Sequence, residues 1–411
     1  MRLCAPPGIS PIRDLGWERV FRTWVISSQE PMGVGVRARD VGIEIGTGRP
    51  GAWNAITDVD GVGVGYCTVV AGSGELDVGN GPVRSGVTVV LPHGGRPSVE
   101  PVFAGYHRLN GFGELTGLEW LHESGMLSCP IALTNTNSVG VVRDTMIALE
   151  AEVPGRTPIM LPVVGETWDG ILNDISGQHI TPDHVRAAFD DVRSGPIAEG
   201  NVGGGTGLQC YGFKGGSGTA SRLVECGEAT YTVGVLVQAN HGDRRHFEVN
   251  GVPVGQVLDR REIPIPSMPS ATAVPAGTGS VLAVVATDAP LLPHQLNRLA
   301  QRAGLGIAKF GARGDNYSGD LMIAFSTAAR GLPDQGPGST TPAALTVQTL
   351  ALPHFDGMFA AVIEATAEAI LNAMLQAETM EGRDHLVLHA LDAERLGDLL
   401  DGHGRRRYSL R

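Results

Sequence analysis

Aromatic residues are scarce in this chain, at 5% of 411 positions, and charged residues make up only 18%. Clustered basic residues are nearly absent: Arg244-Arg245 and Arg405-Arg406-Arg407 are the densest, within a formal net charge of −12. Phosphate backbones are gripped by clustered Lys and Arg, so nucleic acid is excluded as an expected partner. No uninterrupted apolar run approaches the roughly 20 residues that span a bilayer. The best runs, 232–239 and 281–286, have strand length, so no membrane partner is expected. The five cysteines (Cys4, Cys67, Cys129, Cys210, Cys226) are odd in number and lack metal-ligand spacing. They read as reduced, mostly buried residues of a cytoplasmic protein, with neither a disulfide framework nor a metal site. Residues 1–31 mix Arg13, Asp14, Glu18, Arg19 and Arg22 with apolar residues. They therefore lack the apolar core of a signal peptide and read as an extension, dispensable or disordered, with Met32 a candidate start.

Glycine is what the chain has in excess, with 58 residues, alongside 26 prolines. It is spread throughout without a triplet period, which points to tight turns and close backbone approaches in a sheet-rich α/β protein. Runs at 87–91, 130–133, 230–239, 280–286 and 321–325 have the length and β-branched content of buried strands. Thr181-Pro182 opens a helix; a second follows Asp288 and Pro290; a third, Ala-rich, starts near Asp356 and runs to about Glu378. Between Asn240 and the strand at Ser280 lies a polar, proline-rich stretch, 250–278, expected to be an exposed linker. No repeat appears, and residues 32–411 read as a single domain.

Ser280 directly follows Pro275-Ala276-Gly277-Thr278-Gly279. A hydroxyl placed after glycine can attack the preceding carbonyl by an N→O acyl shift, given strain that glycine tolerates. The freed α-amine would then sit beside its own hydroxyl as a base. By local sequence alone, a turn entering a strand is the favoured reading. Ser318-Gly319-Asp320 puts a hydroxyl two residues before a carboxylate at a strand head, although on its own its composition favours a turn. Asn240 ends an apolar strand, where a side-chain amide can donate to an oxyanion or simply start a turn. Glu166-Thr167-Trp168-Asp169-Gly170 follows the apolar run 159–164 and joins a carboxylate to an indole, a pocket for an ammonium or a plain rim turn. His241 and His246 make a weak metal pair. The glycine runs at 61–65, 200–207 and 215–219 lack dinucleotide or Walker context, so no phosphate site is expected.

Taken together, several motifs make the chain recognisable. They are Asn54-Ala55-Ile56-Thr57-Asp58-Val59, Leu109-Asn110-Gly111-Phe112-Gly113-Glu114, Thr134-Asn135-Thr136-Asn137-Ser138-Val139-Gly140, the glycine run 200–207 into Phe213-Lys214-Gly215-Gly216, Val237-Gln238-Ala239-Asn240, and Ala286-Thr287-Asp288-Ala289-Pro290-Leu291-Leu292-Pro293. From about 36 to 384 the chain resembles the DmpA/BapA family of self-processing serine peptidases, the L-aminopeptidase/D-esterase and β-peptidyl aminopeptidase group. The resemblance implies a four-layer αββα sandwich, similar to the N-terminal-nucleophile hydrolases but differently connected. It implies cleavage at Gly279–Ser280 into an α-chain ending at 279 and a β-chain of 280–411. Ser280 matches the nucleophile, Ser318 the second serine, Asp320 its acidic partner and Asn240 the oxyanion residue. Trp168 matches a residue lining the site, and Glu166 the carboxylate that holds the substrate amine. Short peptides, amino-acid amides or esters of D-, L- or β-amino acids are the implied substrates, with no cofactor and with αβ units assembled as tetramers. A self-cleaving acyltransferase like ornithine acetyltransferase, or a nylon-oligomer amidase, is the nearest rival, though those use Thr at the cut. A non-catalytic binder on the same fold is the rival of another class. The stretch 248–278 looks longer than the family's, and residues 1–31 have no counterpart in it.

Overall fold

The computed structural model describes residues 35–153, 159–268, 278–332 and 342–407, so the extension 1–31 lies outside the described residues. In chain order the strands are β1 (Gly63–Ala71), β2 (Val83–Leu91), β3 (Val102–Gly111), β4 (Met126–Leu127), β5 (Ile131–Asn135) and β6 (Val163–Thr167). A short ribbon, β7 (Gln209–Cys210) and β8 (Phe213–Lys214), precedes β9 (Gly216–Cys226), β10 (Ala229–Asn240), β11 (Gly279–Thr287) and β12 (Ser318–Ser326). The principal helices are α1 (Val139–Ala151), α2 (Pro182–Asp190), α3 (Pro293–Ala308) and α4 (Phe355–Leu375). Strands pair into a four-stranded sheet, β1-β2-β5-β6, and a six-stranded sheet, β4-β3-β12-β11-β10-β9.

Three apolar clusters separate four layers. Val142, Met146, Val185 and Phe189 of α1 and α2 pack on Val87, Val89, Ala132 and Val164 of the smaller sheet. Between the sheets, Val64, Val90 and Leu133 meet Leu236, Leu282, Val284 and Ile323. On the far face, Leu296, Leu299, Val362 and Ile370 of α3 and α4 cover Val235, Val281, Val285 and Met322. Alternation along β11 explains the division: Val281, Ala283 and Val285 face the helices, while Leu282, Val284 and Ala286 face the other sheet. This is the αββα sandwich expected from the sequence. The strands read at 87–91, 230–239, 280–286 and 321–325 fall inside β2, β10, β11 and β12, and 130–133 overlaps β5. Thr181 precedes Pro182 at the first position of α2 as read, and the Ala-rich helix runs Phe355–Leu375.

Two expectations need correction. The segment Leu352–Leu375 is long and apolar enough to cross a bilayer by length and composition, yet 78% of its apolar window is buried inside the protein. It is a core helix interrupted by acidic residues, which is why no long run is visible. The stretch before Ser280 is not simply exposed. Val249, Val252, Val254 and Leu258 are buried in the core. The Arg244 guanidinium donates to the carbonyls of Tyr211 (2.7 Å), Gly212 (2.7 Å) and Leu258 (2.8 Å), and lies 3.4 Å from the centre of the Phe213 ring. One buried arginine thus ties this stretch, through Leu258, to the turn between β7 and β8. Residues 269–277 lie outside the described residues.

Helix α4 is anchored by charge as well as packing. Glu368, buried on it, accepts from Arg39 (2.8 Å), Arg222 (2.7 Å) and Asn54 Nδ2 (2.5 Å). Removing a fully buried member of such a network leaves the fully buried Arg222 with one fewer anion. Glu368→Ala is therefore expected to lose about 3 kcal/mol, read as a lowered urea midpoint. Glu364→Ala, removing the less buried partner of Arg222, is expected to lose clearly less; equal losses would contradict the ranking by burial.

Candidate active site

Strand β11 lies between two neighbours that bring the candidate residues together. In the antiparallel ladder with β10, Asn240 is opposite Ser280. In the parallel ladder with β12, Gly279 pairs with Ser318, Ser280 with Gly319 and Val281 with Asp320. All four candidates therefore gather at one end of the six-stranded sheet. Each is nearly inaccessible to solvent, so their polar atoms have protein partners.

Around the Ser280 hydroxyl, two donors converge: the Trp168 backbone N–H at 3.3 Å and Asn240 Nδ2 at 3.4 Å from Oγ. The Asn240 amide is oriented by its other end. Its Oδ1 accepts the Gln209 N–H at 2.9 Å, which turns Nδ2 toward the Trp168 carbonyl (2.8 Å) and Ser280. Two N–H groups thus stand beside the Ser280 hydroxyl, at the long end of the hydrogen-bond range, and are the donors nearest to any charge that develops next to Oγ.

Gly279 serves this geometry by its size. The sequence reading placed backbone strain here, but Gly279 is not among the glycines with left-handed φ. Instead, a Cβ at Gly279 would press into the Asn240 carbonyl and approach His241 Cα to 3.0 Å. The missing side chain is what lets the start of β11 lie against the end of β10.

Ser318 donates its hydroxyl to Asp320 Oδ1 at 2.7 Å. Burial pushes the Asp320 carboxyl up to about 6, with the Ser318 hydroxyl opposing the rise and Asp315 adding to it. The Asp320 N–H is held by Asn110 Oδ1 (3.1 Å), and Asn110 Nδ2 reaches the Asp315 carbonyl (2.9 Å).

Glu166 and Trp168 approach from the other sheet, at the end of β6. The Glu166 carboxylate accepts the Glu114 N–H at 3.0 Å and the Thr136 hydroxyl. Burial still raises its pKa above the ordinary carboxylate value, against those two hydrogen bonds. The gap between it and β11 is lined by glycine. Glu166 Oε1 is 3.0 Å from where a Gly113 Cβ would sit, and a Gly319 Cβ would lie 2.7 Å from Gly113 Cα. Since Gly319 pairs with Ser280, two residues without side chains stand between the anion and the hydroxyl. Trp168 is half-buried, its indole laid against Gly170.

Some functional groups were invisible to sequence reasoning because they are backbone atoms: the Trp168 and Gln209 N–H groups carry no residue signature. Asn110 and Thr136 stand within recognised motifs but had no assigned task. Buried Asp169, pushed up to about 7 by burial, accepts from Asn173 Nδ2 at 3.0 Å and steadies the turn after Trp168. Buried Lys214, pulled down to about 7 by burial, donates to the Gly215 carbonyl at 2.7 Å, within its own turn. His241 and His246 are not brought together as a metal pair: the ring of His241 meets Tyr211, and that of His246 meets Arg313. No cluster of three metal-ligating residues occurs among the described residues.

Residues 54–388 match the model of peptidase family S58. The beta-peptidyl aminopeptidase BapA of Sphingosinicella microcystinivorans is 46% identical over 376 residues, covering 90% of this chain and 93% of that protein. A beta-aminopeptidase from Burkholderia sp. superposes with TM-score 0.82 at 46% identity, covering 90% of this chain and 99% of its own. The L-aminopeptidase D-Ala-esterase/amidase of Ochrobactrum anthropi, described as a variant of the Ntn-hydrolase fold and a prototype for the serine aminopeptidases, gives 0.81 at 43% with the same coverage. A match over most of the chain, joined to this fold, has one reading: the protein belongs to peptidase family S58 and is a serine peptidase of the N-terminal-nucleophile type.

Proposed function

We propose that this protein is a self-processing serine aminopeptidase that removes the N-terminal residue from short peptides, amino-acid amides or esters, and that Ser280 performs both reactions. The observation that carries the reading is the convergence of Asn240 Nδ2 and the Trp168 N–H on a serine hydroxyl directly after glycine.

In the first reaction Ser280 Oγ attacks the Gly279 carbonyl carbon. The C–N bond breaks as the departing nitrogen takes a proton, and water hydrolyses the resulting ester. The products are a chain ending in the Gly279 carboxylate and a chain of 280–411 with a free α-amine on Ser280. Such an amine titrates near 8, so close to neutrality an appreciable fraction is ready to take the hydroxyl proton.

In the second reaction Glu166 holds the substrate's ammonium, and Oγ attacks the first carbonyl. Asn240 and Trp168 stabilise the oxyanion, each donor contributing about 3 kcal/mol. Water then releases the acyl group. Ser318 has committed its hydrogen to Asp320, so its oxygen keeps lone pairs for the ammonium that forms on Ser280. The ladder supports this role, because Ser318 lies beside Gly279 on the adjacent strand.

The relatives named beta-peptidyl aminopeptidases support β-amino residues within the substrate range. Assembly as a homotetramer of αβ units and a cytoplasmic location complete the proposal. The family resemblance supports the first, and the unbonded Cys67, Cys129, Cys210 and Cys226 support the second.

Ser280→Ala is expected to give one uncut chain on a denaturing gel and no hydrolysis of amino-acid amides, whereas two bands from this variant would overturn the scheme. The pH profile supplies an independent check. As pH falls through about 6, Asp320 takes up a proton and Ser318 loses its anionic anchor, so kcat is expected to drop. With the substrate ammonium bound, Glu166 stays ionised, and its own titration shows in kcat/KM instead. The α-amine gives kcat its first fall below about 8, and Asp320 adds a second, steeper one near 6; Asp320→Asn should lower kcat and remove only that second fall, and its persistence in the variant would contradict the assignment.

A further inference from the structure

Lys214 has no part in the chemistry described so far, yet it is fully buried, a costly place for an amine. It belongs to the motif in which the glycine run 200–207 leads into Phe213-Lys214-Gly215-Gly216.

Alternation fixes the side on which Lys214 lies. Cys210 and Phe213 of the β7–β8 ribbon join the apolar cluster on the helix side of the larger sheet. Their neighbours Gln209 and Lys214, opposite each other in the ribbon, therefore face the smaller sheet. On β10 and β11, Val237, Ala239 and Val281 belong to the same helix-side cluster, which turns Gln238, Asn240 and Ser280 to the inter-sheet face as well. Lys214 and the Ser280 hydroxyl thus share one face.

Two chains of contact meet at the Lys214 amine. On one side, Nζ donates to the Gly215 carbonyl at 2.7 Å, and the Gly215 N–H donates to the Leu208 carbonyl at 2.8 Å, which closes the ribbon. Gln209, across the ribbon from Lys214, gives its N–H to Asn240 Oδ1 at 2.9 Å. On the other side, Nζ reaches the Gly205 carbonyl at 3.5 Å. The loop that carries Gly205 is tied to the smaller sheet. The Gly203 N–H donates to Thr68 Oγ1 on β1 (2.9 Å), and the Gly204 N–H to Thr88 Oγ1 on β2 (3.1 Å). A Cβ at Gly204 would press into Gln238 Oε1, and one at Gly205 into the Ser217 nitrogen, so glycine is what brings this loop against the larger sheet. Cys210 and Asp169 are the titratable groups that act on the amine, opposing the fall that burial imposes on it. A neutral amine still carries two N–H donors, one for each carbonyl, so the link does not depend on its charge.

The site needs such a link because the two donors beside Ser280 Oγ come from different sheets. The Trp168 N–H lies just beyond β6, and Asn240 Nδ2 at the end of β10, at 3.3 and 3.4 Å. Hydrogen bonds at that length weaken steeply with further separation, so a slip of one sheet against the other would disable one donor. We propose that Lys214 is a positioning residue for these donors: by joining the glycine loop of the smaller sheet to the ribbon that orients Asn240, it keeps Asn240 and the Trp168 N–H together around Ser280. It acts through Gln209 and Asn240 and touches no substrate. The inference rests on the aminopeptidase reading above.

The test is Lys214→Met, which keeps an unbranched apolar stem and removes the N–H donors. In the cleaved enzyme, kcat for an amino-acid amide is expected to fall about 10- to 100-fold. KM should stay within about twofold of wild type, because Glu166 is held separately, by Glu114 and Thr136. Self-cleavage, timed on a denaturing gel, should slow by a similar factor. An amino boronic acid, whose adduct with Ser280 Oγ places an oxygen where the oxyanion forms, should bind that much less tightly. The double variant Lys214→Met/Asp169→Asn also removes the buried carboxyl that Lys214 faces, and its kcat is expected to stay low. A lowered urea midpoint with wild-type kcat per folded molecule would overturn the proposal and leave Lys214 a purely structural residue. Recovery of kcat in the double variant would also overturn it, tracing the loss to Asp169, as would a loss carried in KM instead of kcat. A folded variant that never cuts itself would contradict it too, since a positioning residue slows a reaction without abolishing it. Failure of the aminopeptidase reading shows instead in the wild type, which would then neither cut its own chain nor hydrolyse the amide.

Discussion

The backbone ladder that seats β11 between β10 and β12 is the constraint on which the rest of the site depends. Because β11 runs antiparallel to one neighbour and parallel to the other, a single register sets Asn240, Ser280, Ser318 and Asp320 at one sheet end. A shift of one residue would turn Ser280 from the inter-sheet space toward the helices and exchange the faces of Val281 and Leu282. Burial of both faces of β11 in separate apolar clusters makes that slip expensive. The cores on either side thus hold the nucleophile in register.

The second sheet supplies what this ladder lacks. Trp168 brings a backbone donor to Ser280, and Glu166 brings an anion behind a passage lined by Gly113 and Gly319. Burial acts on every carboxylate here in the same direction, raising Glu166, Asp169 and Asp320. Local hydrogen bonds oppose it in each case. Asp169, at about 7, and Asp320, at about 6, are thereby held where small changes in pH alter their charge, and Glu166 is moved in the same direction.

Much of this order was legible in the sequence. The buried strands β2, β5, β10, β11 and β12 show as apolar runs because both their faces are covered. Strand β1 escaped because only its first three residues are buried and it begins within a glycine run. The positions of Ser280, Ser318, Asp320 and Asn240 were readable only in combination, since each alone resembles a turn. Three features were not readable. Backbone donors such as the Trp168 N–H have no side-chain signature. Arg244 looked like a basic surface spot, yet is buried against four aromatic and carbonyl partners. Gly279 suggested strain, whereas it answers to a close approach by a neighbouring strand, a distance that no local pattern encodes.

The central claim is that one serine first cuts its own chain and then carries the acyl group of the substrate. Intact mass spectrometry of the wild-type protein, before and after reaction with an amine-bearing acylating ester, tests both halves together. The account predicts a fragment that begins at Ser280 and gains a single acyl group, located on that first residue. Full-length chain alone, or an acyl group found on Ser318 with Ser280 unmodified, would contradict it.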